Sequence, residues 1–138
     1  MRFRRTVMAF GAFDVLHPGH VHFLEHARSL GDRLVVVVAR NSTVEKVKGV
    51  KPWFDERKRL AAVRKLECVD RALLGNKRDF HAVVRRVKPE VVALGYDQKA
   101  DEGALSKLGR VTRLKAFKPR KYKSTLLKKK ELSEWAKC

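Results

Sequence analysis

The sequence predicts an α/β fold: a single Rossmann-like, doubly wound domain with a five-stranded parallel sheet. Five short apolar runs alternate with helical segments along the chain, which is the order of elements in such a sheet. The run at residues 34–39 lacks polar alternation, as expected for a strand that is covered on both faces. A length of 138 residues suits one packed core and is too short for two, so we expect residues 1–138 to form one domain.

The first strand, at residues 6–10, is apolar and is followed by Gly11, where we expect the backbone to turn. Pro18 suits the first turn of the next helix, because that position needs no backbone N–H. This helix is apolar at about every third or fourth residue until Gly31. After the second strand, the polar stretch at residues 41–54 predicts a loop, or a loop with a short helix.

The second half of the chain continues the alternation. Asp55 is placed to cap a helix that turns Leu60, Val63 and Leu66 toward the core. The remaining predicted elements are a strand at residues 69–74, a helix capped by Asp79 that ends before Pro89, a strand at 90–94, a weaker helix at 101–108, a strand at 110–115 and a final helix capped by Ser124 or Thr125. Because ligands bind at the carboxyl ends of parallel strands, the segments that follow the strands form the predicted site.

Residues 11–20 combine a glycine turn with the start of a helix and contain two histidines. A helix N-terminus presents unpaired backbone N–H groups and about half a positive charge, which favours phosphate. His17 and His20 lie three residues apart, hence on one side of the first turn, where each imidazole can donate a hydrogen bond to a phosphate oxygen. The same histidines with His22 are also compatible with surface positions or a metal site, although no cysteine or carboxylate cluster completes a ligand set.

The composition is strongly basic, with 33 Lys and Arg against 15 Asp and Glu and a net charge of +18, so the expected partners are anions. Residues 113–130 contain no acidic residue, which is compatible with a nucleic-acid surface but favours a solvated face around a triphosphate. No apolar run approaches the roughly 20 residues of a membrane span, and the first residues lack a secretion signal, so we expect a cytoplasmic protein. Cys68 and Cys138 support neither a disulfide framework nor a metal site.

Residues 11–20 match the string GxFDxxHxGH, between a predicted strand and a predicted helix. This string resembles the signature of the nucleotidyltransferase superfamily that includes the cytidylyltransferase-like proteins. Four further segments look like those of the archaeal FAD synthases: Ala39-Arg40, Lys48-Gly49-Val50-Lys51-Pro52, Leu94-Gly95-Tyr96-Asp97-Gln98 and Tyr122-Lys123-Ser124-Thr125. The resemblance implies transfer of AMP from ATP to FMN with release of pyrophosphate, a divalent cation such as Mg²⁺ bound with the triphosphate, and a homodimer.

The resemblance also implies roles for single residues. Catalysis would fall to His17, His20 and Lys48. The nucleotide would be bound by Ala12, Phe13, Asp14, His17, His20, Gly95, Asp97, Ser124 and Thr125. The phosphate of the acceptor would be met by Lys46, Lys48 and Arg57, and no residue is implied as a metal ligand. Many relatives place an arginine shortly before the Ser-Thr pair, a position that either Arg120 or Lys123 matches.

The implied reaction needs no protein base. The phosphate of FMN is largely ionised at neutral pH, since its second pKa is about 6, so the protein has to align the reactants and donate hydrogen bonds. Two other functions stay open: a cytidylyltransferase that joins CTP to glycerol 3-phosphate or a related acceptor, and a nucleic-acid-binding protein on the same fold. Trp53 and Phe54 either cover a flavin ring or pack in the core.

Overall fold

The structure, a computed structural model, describes residues 5–76, 79–95, 98 and 102–114. The described elements alternate between strand and helix, with one extra helix after the second strand. In chain order they are β1 (Thr6–Gly11), α1 (Pro18–Ser29), β2 (Arg33–Val38), α2 (Asn41–Lys48), α3 (Glu56–Arg64), β3 (Arg71–Leu74), α4 (Phe80–Val87), β4 (Val91–Leu94), α5 (Glu102–Ser106) and β5 (Arg110–Arg113).

The five strands form one parallel sheet in the order β3-β2-β1-β4-β5. From β1 the chain adds β2 and β3 on one side, then crosses back and adds β4 and β5 on the other side. The order reverses between β1 and β4, where Val7 is paired with Val91. Open parallel sheets bind ligands at the carboxyl edge of such a switch point. This arrangement confirms the predicted doubly wound α/β fold.

Helices cover both faces of the sheet, as the side chains of β1 show. Val7 and Ala9 belong to a core that includes residues of α1 and α3, whereas Met8 and Phe10 belong to a second core with residues of α4 and α5. These four side chains are at most 4% exposed. A strand that is buried on both faces does not alternate apolar with polar residues, which explains the unbroken apolar run of β2.

Several element boundaries refine the prediction. The stretch at residues 41–54 contains α2, which ends at Gly49 with φ of 77°, a left-handed conformation that glycine adopts without a Cβ clash. The predicted helix at 101–108 is shorter, since α5 spans Glu102–Ser106. The fifth strand ends two residues earlier than predicted, at Arg113. These differences leave the order of the described elements unchanged, and the predicted final helix capped by Ser124 or Thr125 lies outside the described residues.

Candidate active site

The loop between β1 and α1 turns at Phe13, and the prediction of a turn at Gly11 is wrong. Phe13 has φ of 50°, in the left-handed region that large side chains rarely adopt. Gly11 is the last residue of β1, and a Cβ there would lie 2.7 Å from Cζ of Phe13. A side chain at position 11 would therefore displace this ring. The same ring meets the imidazole of His20 edge-on, with 5.4 Å between the centroids.

His17 is the N-cap residue of α1 and is 7% exposed. Its Nδ1 accepts a hydrogen bond from the backbone N–H of Gly19 at 3.1 Å. In a neutral imidazole that accepts at Nδ1, the proton resides on Nε2, which is thereby a donor. Burial lowers the pKa of His17 to about 4. At neutral pH His17 is therefore an uncharged hydrogen-bond donor through Nε2.

The imidazole of His20 stacks on that of His17, with centroids 3.8 Å apart and ring planes inclined by 26°. Burial lowers the pKa of His20 to about 3, and the charges of His17 and Lys48 act in the same direction, while the backbone of Val15 opposes the shift. The Nδ1 atom of His20 is buried and makes no hydrogen bond of ordinary geometry within the described ranges. The structure thus places the two predicted catalytic histidines side by side, both uncharged at neutral pH.

The backbone N–H groups at the start of α1 are already used within the first turn. Pro18 has none, that of Gly19 donates to Nδ1 of His17, and that of His20 donates to the carbonyl of His17 at 2.9 Å. The prediction of unpaired N–H groups is therefore wrong for residues 18–20. The reason is that a histidine at the N-cap position supplies both a side-chain and a carbonyl acceptor. The donor that this turn presents is therefore Nε2 of His17.

Asp14, predicted to shape the nucleotide pocket, is 5% exposed and binds backbone rather than solvent. Its Oδ2 accepts a hydrogen bond from the N–H of Trp53 at 2.7 Å, and its Oδ1 accepts one from the N–H of Phe54 at 2.8 Å. A carboxylate that accepts two backbone hydrogen bonds is a strong anchor. Asp14 therefore ties the segment before α3 to the loop that carries the histidines.

Arg59 of α3 is the residue that sequence reasoning missed. It is 1% exposed, and its guanidinium group donates four hydrogen bonds. The acceptors are the carbonyl of Phe54 at 2.9 Å, that of Ala12 at 2.8 Å, that of Ala39 at 2.6 Å and Oδ1 of Asn41 at 2.7 Å. Arg59 thus joins the β1–α1 loop, the end of β2, the first residue of α2 and the segment before α3.

A signal for Arg59 was present in the helical spacing. Arg59 precedes the buried Val63 by four residues and so lies on the same face of α3, whereas the predicted acceptor-binding Arg57 is exposed. Arginine is almost never fully buried unless its donors are paired, so a core-facing arginine indicates a network of acceptors. Burial lowers the pKa of Arg59, and the nearby carboxylate of Asp14 is the largest influence that opposes this shift.

The predicted lysines lie in the last turn of α2 and are exposed. The charge of Lys48 contributes to the lowered pKa of His20, which places Lys48 near the histidine pair. Lys46 lies two residues earlier in the same turn. Arg57 is in the first turn of α3, and its backbone N–H donates to the side chain of the N-cap residue Asp55. The structure therefore puts Lys48 where its charge acts on His20, and it sets Arg57 at the start of the next helix.

Gln98 bridges the switch point of the sheet. Its Nε2 donates to the carbonyl of Phe10 in β1 at 3.1 Å, and its Oε1 accepts from the N–H of Gly95, which follows β4, at 3.1 Å. Arg113 of β5 donates to the carbonyls of Gly95 and Gln98. Gly95 is thus placed beside the end of β1, next to the histidine loop. Five predicted or candidate binding residues lie outside the described residues: Asp97, Arg120, Lys123, Ser124 and Thr125.

An open cavity of about 260 Å³ lies between α2 and the segment that precedes α3. Its lining residues are Asn41, Glu45, Lys51, Pro52, Phe54 and Asp55. Phe54 is half-buried at this cavity, whereas Trp53 is 52% exposed. The interpretation of Trp53 as a core residue is therefore wrong. Its backbone is held by Asp14 in a position that leaves the indole in contact with solvent.

Two further observations concern metals and membranes. Within the ranges that the structure describes, no three or more His, Cys, Asp or Glu side chains are grouped to hold a metal ion, so the alternative metal site at His17, His20 and His22 is not formed. Across the same ranges, every helix is too short or too polar to cross a membrane.

Comparisons with known sequences give a consistent result. The family model described as cytidylyltransferase-like matches residues 8–133. The FAD synthase of Thermoplasma volcanium is 46% identical over 131 residues, which cover 90% of this chain and 92% of that protein. The FAD synthase of Aciduliprofundum boonei is 58% identical over 96 residues, which cover 70% of this chain and 64% of that protein.

Solved structures show the same architecture. A crystal structure described as the lipopolysaccharide core biosynthesis protein from Thermoplasma volcanium is similar with a TM-score of 0.78 and 46% identity, covering 83% of this chain and 99% of that one. The pantoate-beta-alanine ligase of Francisella tularensis is similar with a TM-score of 0.58 over 91% of this chain and 68% of that one. At 11% identity the second likeness concerns the fold alone.

Proposed function

The chain belongs to the cytidylyltransferase-like family, and on this premise we propose that it is an FAD synthase, which transfers AMP from ATP to FMN and releases pyrophosphate. The observation that carries this proposal is the stacked pair His17 and His20, in a chain that is 46% identical to an FAD synthase over 90% of its length. The relatives bear out the resemblance predicted from the sequence. They favour neither a cytidylyltransferase acting on glycerol 3-phosphate nor a nucleic-acid-binding protein.

The reaction exchanges one bond at phosphorus. An oxygen of the FMN phosphate attacks the α-phosphorus of ATP, a new P–O bond forms, and the bond from the α-phosphorus to the bridging oxygen breaks, so that pyrophosphate leaves with the electron pair. The attacking phosphate is ionised at neutral pH, because its second pKa is about 6, and gives up no proton in this step. The protein therefore contributes alignment and stabilisation of negative charge.

His17 and His20 supply hydrogen bonds for that charge. Nε2 of His17 is a donor because Nδ1 is occupied by the N–H of Gly19. The hydrogen bond from Gly19 to Nδ1 fixes the orientation of this imidazole. A neutral donor held in this way needs no rearrangement when negative charge develops on the phosphates. We assign the hydrogen bonds to the triphosphate to these two imidazoles and the positive charge beside them to Lys48.

The remaining predicted contacts complete the proposal. Ala12, Phe13 and Gly95 are at the carboxyl edge of the sheet beside the histidines, which supports a role in the nucleotide pocket. Asp14 supports that pocket through the backbone of the neighbouring segment. For the phosphate of the acceptor we propose Lys46, Lys48 and Arg57, and for the β- and γ-phosphates of ATP the pair Ser124 and Thr125. Asp97 is proposed to line the nucleotide side.

A divalent cation such as Mg²⁺ is proposed to bind together with the triphosphate. The described part of the chain groups no three His, Cys, Asp or Glu side chains as a cage, and Mg²⁺ is commonly held by substrate phosphates and water with few protein ligands. When bound, the cation would neutralise charge on the phosphates. We also propose a homodimer, which light scattering of the purified protein tests.

The experiment that tests the function is a substrate matrix. Purified protein is incubated with ATP or CTP, each combined with FMN or glycerol 3-phosphate, in the presence of Mg²⁺ and then of Mn²⁺ or Co²⁺, and the products are separated. We expect FAD and pyrophosphate from the combination of ATP and FMN, and no product from the other three combinations. A CDP-linked product would show that the protein uses CTP in place of ATP. The absence of any product would contradict the proposal.

A further inference from the structure

Three large apolar side chains are exposed along one segment of the chain. Val47 is 71% exposed, Val50 is 64% exposed and Trp53 is 52% exposed, and these are the large hydrophobic residues that are exposed within the described ranges. We refer to residues 47–53 as the apolar segment. It runs from the last turn of α2 to the residues just before α3. The three lie within one short segment of the chain, and exposed apolar residues that form one patch commonly mark a binding surface.

The exposure of Trp53 is set by hydrogen bonds to its backbone and to that of its neighbour. The N–H groups of Trp53 and Phe54 both donate to Asp14, and the carbonyl of Phe54 accepts from Arg59. Asp14 and Arg59 are themselves buried, at 5% and 1% exposure. The backbone is therefore hydrogen-bonded at the peptide groups before Trp53, between Trp53 and Phe54, and after Phe54. A large aromatic ring is held at the surface although burying it would stabilise the fold.

The apolar segment flanks the candidate active site. Near its first end the segment contains Lys48, whose charge acts on His20, and at its last residue the backbone N–H of Trp53 donates to Asp14 in the histidine loop. Between these ends Gly49 turns the chain with φ of 77°. The cavity of about 260 Å³ borders the same segment through Lys51 and Pro52. A ligand that lies along this segment would therefore combine an apolar contact at Trp53 with the positive charge of Lys48.

We propose that Trp53 is a specificity-determining residue: its indole is the surface on which the isoalloxazine ring of FMN stacks while the FMN phosphate contacts Lys48. This inference rests on the proposed FAD synthase activity and names the part of the site that selects a flavin. The chemistry of FMN fits the segment, because the molecule joins a flat aromatic ring to an anionic phosphate through a flexible chain. An acceptor without a ring, such as glycerol 3-phosphate, would gain nothing from Trp53.

The first test follows the fluorescence of Trp53 during a flavin titration. The chain contains two tryptophans, Trp53 and Trp135, so Trp135→Phe leaves Trp53 as the sole indole. We expect saturable quenching by FMN and by riboflavin, after correction for light absorbed by the flavin, and none by ribose 5-phosphate. Absence of saturable quenching by either flavin would overturn the proposal. Because this readout needs no turnover, it stands even if no FAD is formed.

The second test separates the affinity for FMN from that for ATP. We expect Trp53→Ala to raise KM for FMN about tenfold or more, since stacking of a flat ring on an aromatic side chain is lost. KM for ATP should stay unchanged. Trp53→Phe is the matched control, because it keeps an aromatic face and should hold KM for FMN within about threefold of the wild type. An unchanged KM for FMN in Trp53→Ala would overturn the proposal.

The remaining outcomes distinguish this proposal from its rivals. Sedimentation of wild type and Trp53→Ala shows whether the apolar segment instead contacts a second copy of the chain: weaker FMN binding that appears only together with dissociation of an oligomer would overturn the flavin surface. If the wild type forms no FAD but Trp53 fluorescence is quenched by flavins, the proposed reaction fails and the binding surface stands. If FAD is formed and Trp53→Ala behaves as the wild type, the reaction stands and this inference fails.

Discussion

The imidazole ring of His17 stacks on that of His20 with 3.8 Å between their centroids, so a proton on either ring opposes a proton on the other. Both rings lose solvent on folding, and burial is the largest cause of the lowered pKa at each position. The pair is therefore uncharged near pH 7. In the proposed reaction this pair would donate hydrogen bonds to phosphate, and the positive charge beside it would be that of Lys48.

Stability should depend on pH in the acid range. The folded pKa values, about 4 for His17 and about 3 for His20, lie below the usual 6.5, so the unfolded chain binds protons first as pH falls. The free energy by which the neutral rings favour the folded state is fully present above pH 6.5. It is lost progressively as the pH falls toward 4 for His17 and toward 3 for His20. We expect His20 to account for a loss of about 2 kcal/mol between pH 7 and 4.5 in urea unfolding. A His20→Asn variant with the same pH dependence as the wild type would contradict this assignment.

Substitutions at His17 should separate its role as the N-cap residue of α1 from its role as a hydrogen-bond donor in the proposed reaction. Asparagine is a good N-cap residue whose side-chain oxygen can accept the N–H of Gly19, so His17→Asn should keep most of the stability. His17→Ala should lose about 1 kcal/mol, which thermal or urea unfolding measures. Both variants lack the Nε2 donor, and we expect turnover to fall at least about 100-fold in each while ATP still binds. Full turnover in His17→Asn would contradict the role of the imidazole.

Arg59 and Arg57 should differ sharply in their effect on stability. Arg59→Met leaves three partly buried carbonyls and an amide oxygen without their donor, and we expect the free energy of unfolding to fall by about 3 kcal/mol or more. Arg57→Met, two residues away on the exposed side of α3, is the matched control and should change it by no more than about 0.5 kcal/mol. Urea unfolding of both variants measures this difference. An equal loss of unfolding free energy in the two variants would show that the hydrogen bonds of Arg59 do not hold these segments together.

Two glycines should respond differently to alanine. Gly11→Ala places a methyl group 2.7 Å from the ring of Phe13, so the ring must move and its contact with His20 changes. We expect kcat to fall about tenfold, because small displacements at a reacting centre are costly. Gly49→Ala meets no atom within 4 Å and should cost about 1 kcal/mol of stability through its left-handed backbone alone. Full kcat in Gly11→Ala would contradict the link from Gly11 through Phe13 to His20.

Local patterns accounted for much of the fold and for the position of the histidines. Helix caps at Asp55 and Asp79 and the strand before Gly11 are set by neighbours in sequence, and the structure has them where the sequence predicted. Arg59 was missed because its four acceptors come from separate segments. One of them, the carbonyl of Ala12, is 47 residues away in the chain. No local spacing indicates which acceptors such an arginine will meet.

The sequence by itself determined the order of strands and helices, the histidine motif and the family, because periodicity, capping and residue spacing act over a few residues. Only the tertiary structure decided that His17 and His20 are uncharged, that Asp14 holds the backbone of Trp53 and Phe54, and that the indole of Trp53 is exposed. Desolvation and hydrogen-bond partners depend on residues that are remote in sequence: Asp14 and Trp53 are 39 positions apart. Folding brings them into contact and thereby sets the chemistry of the site.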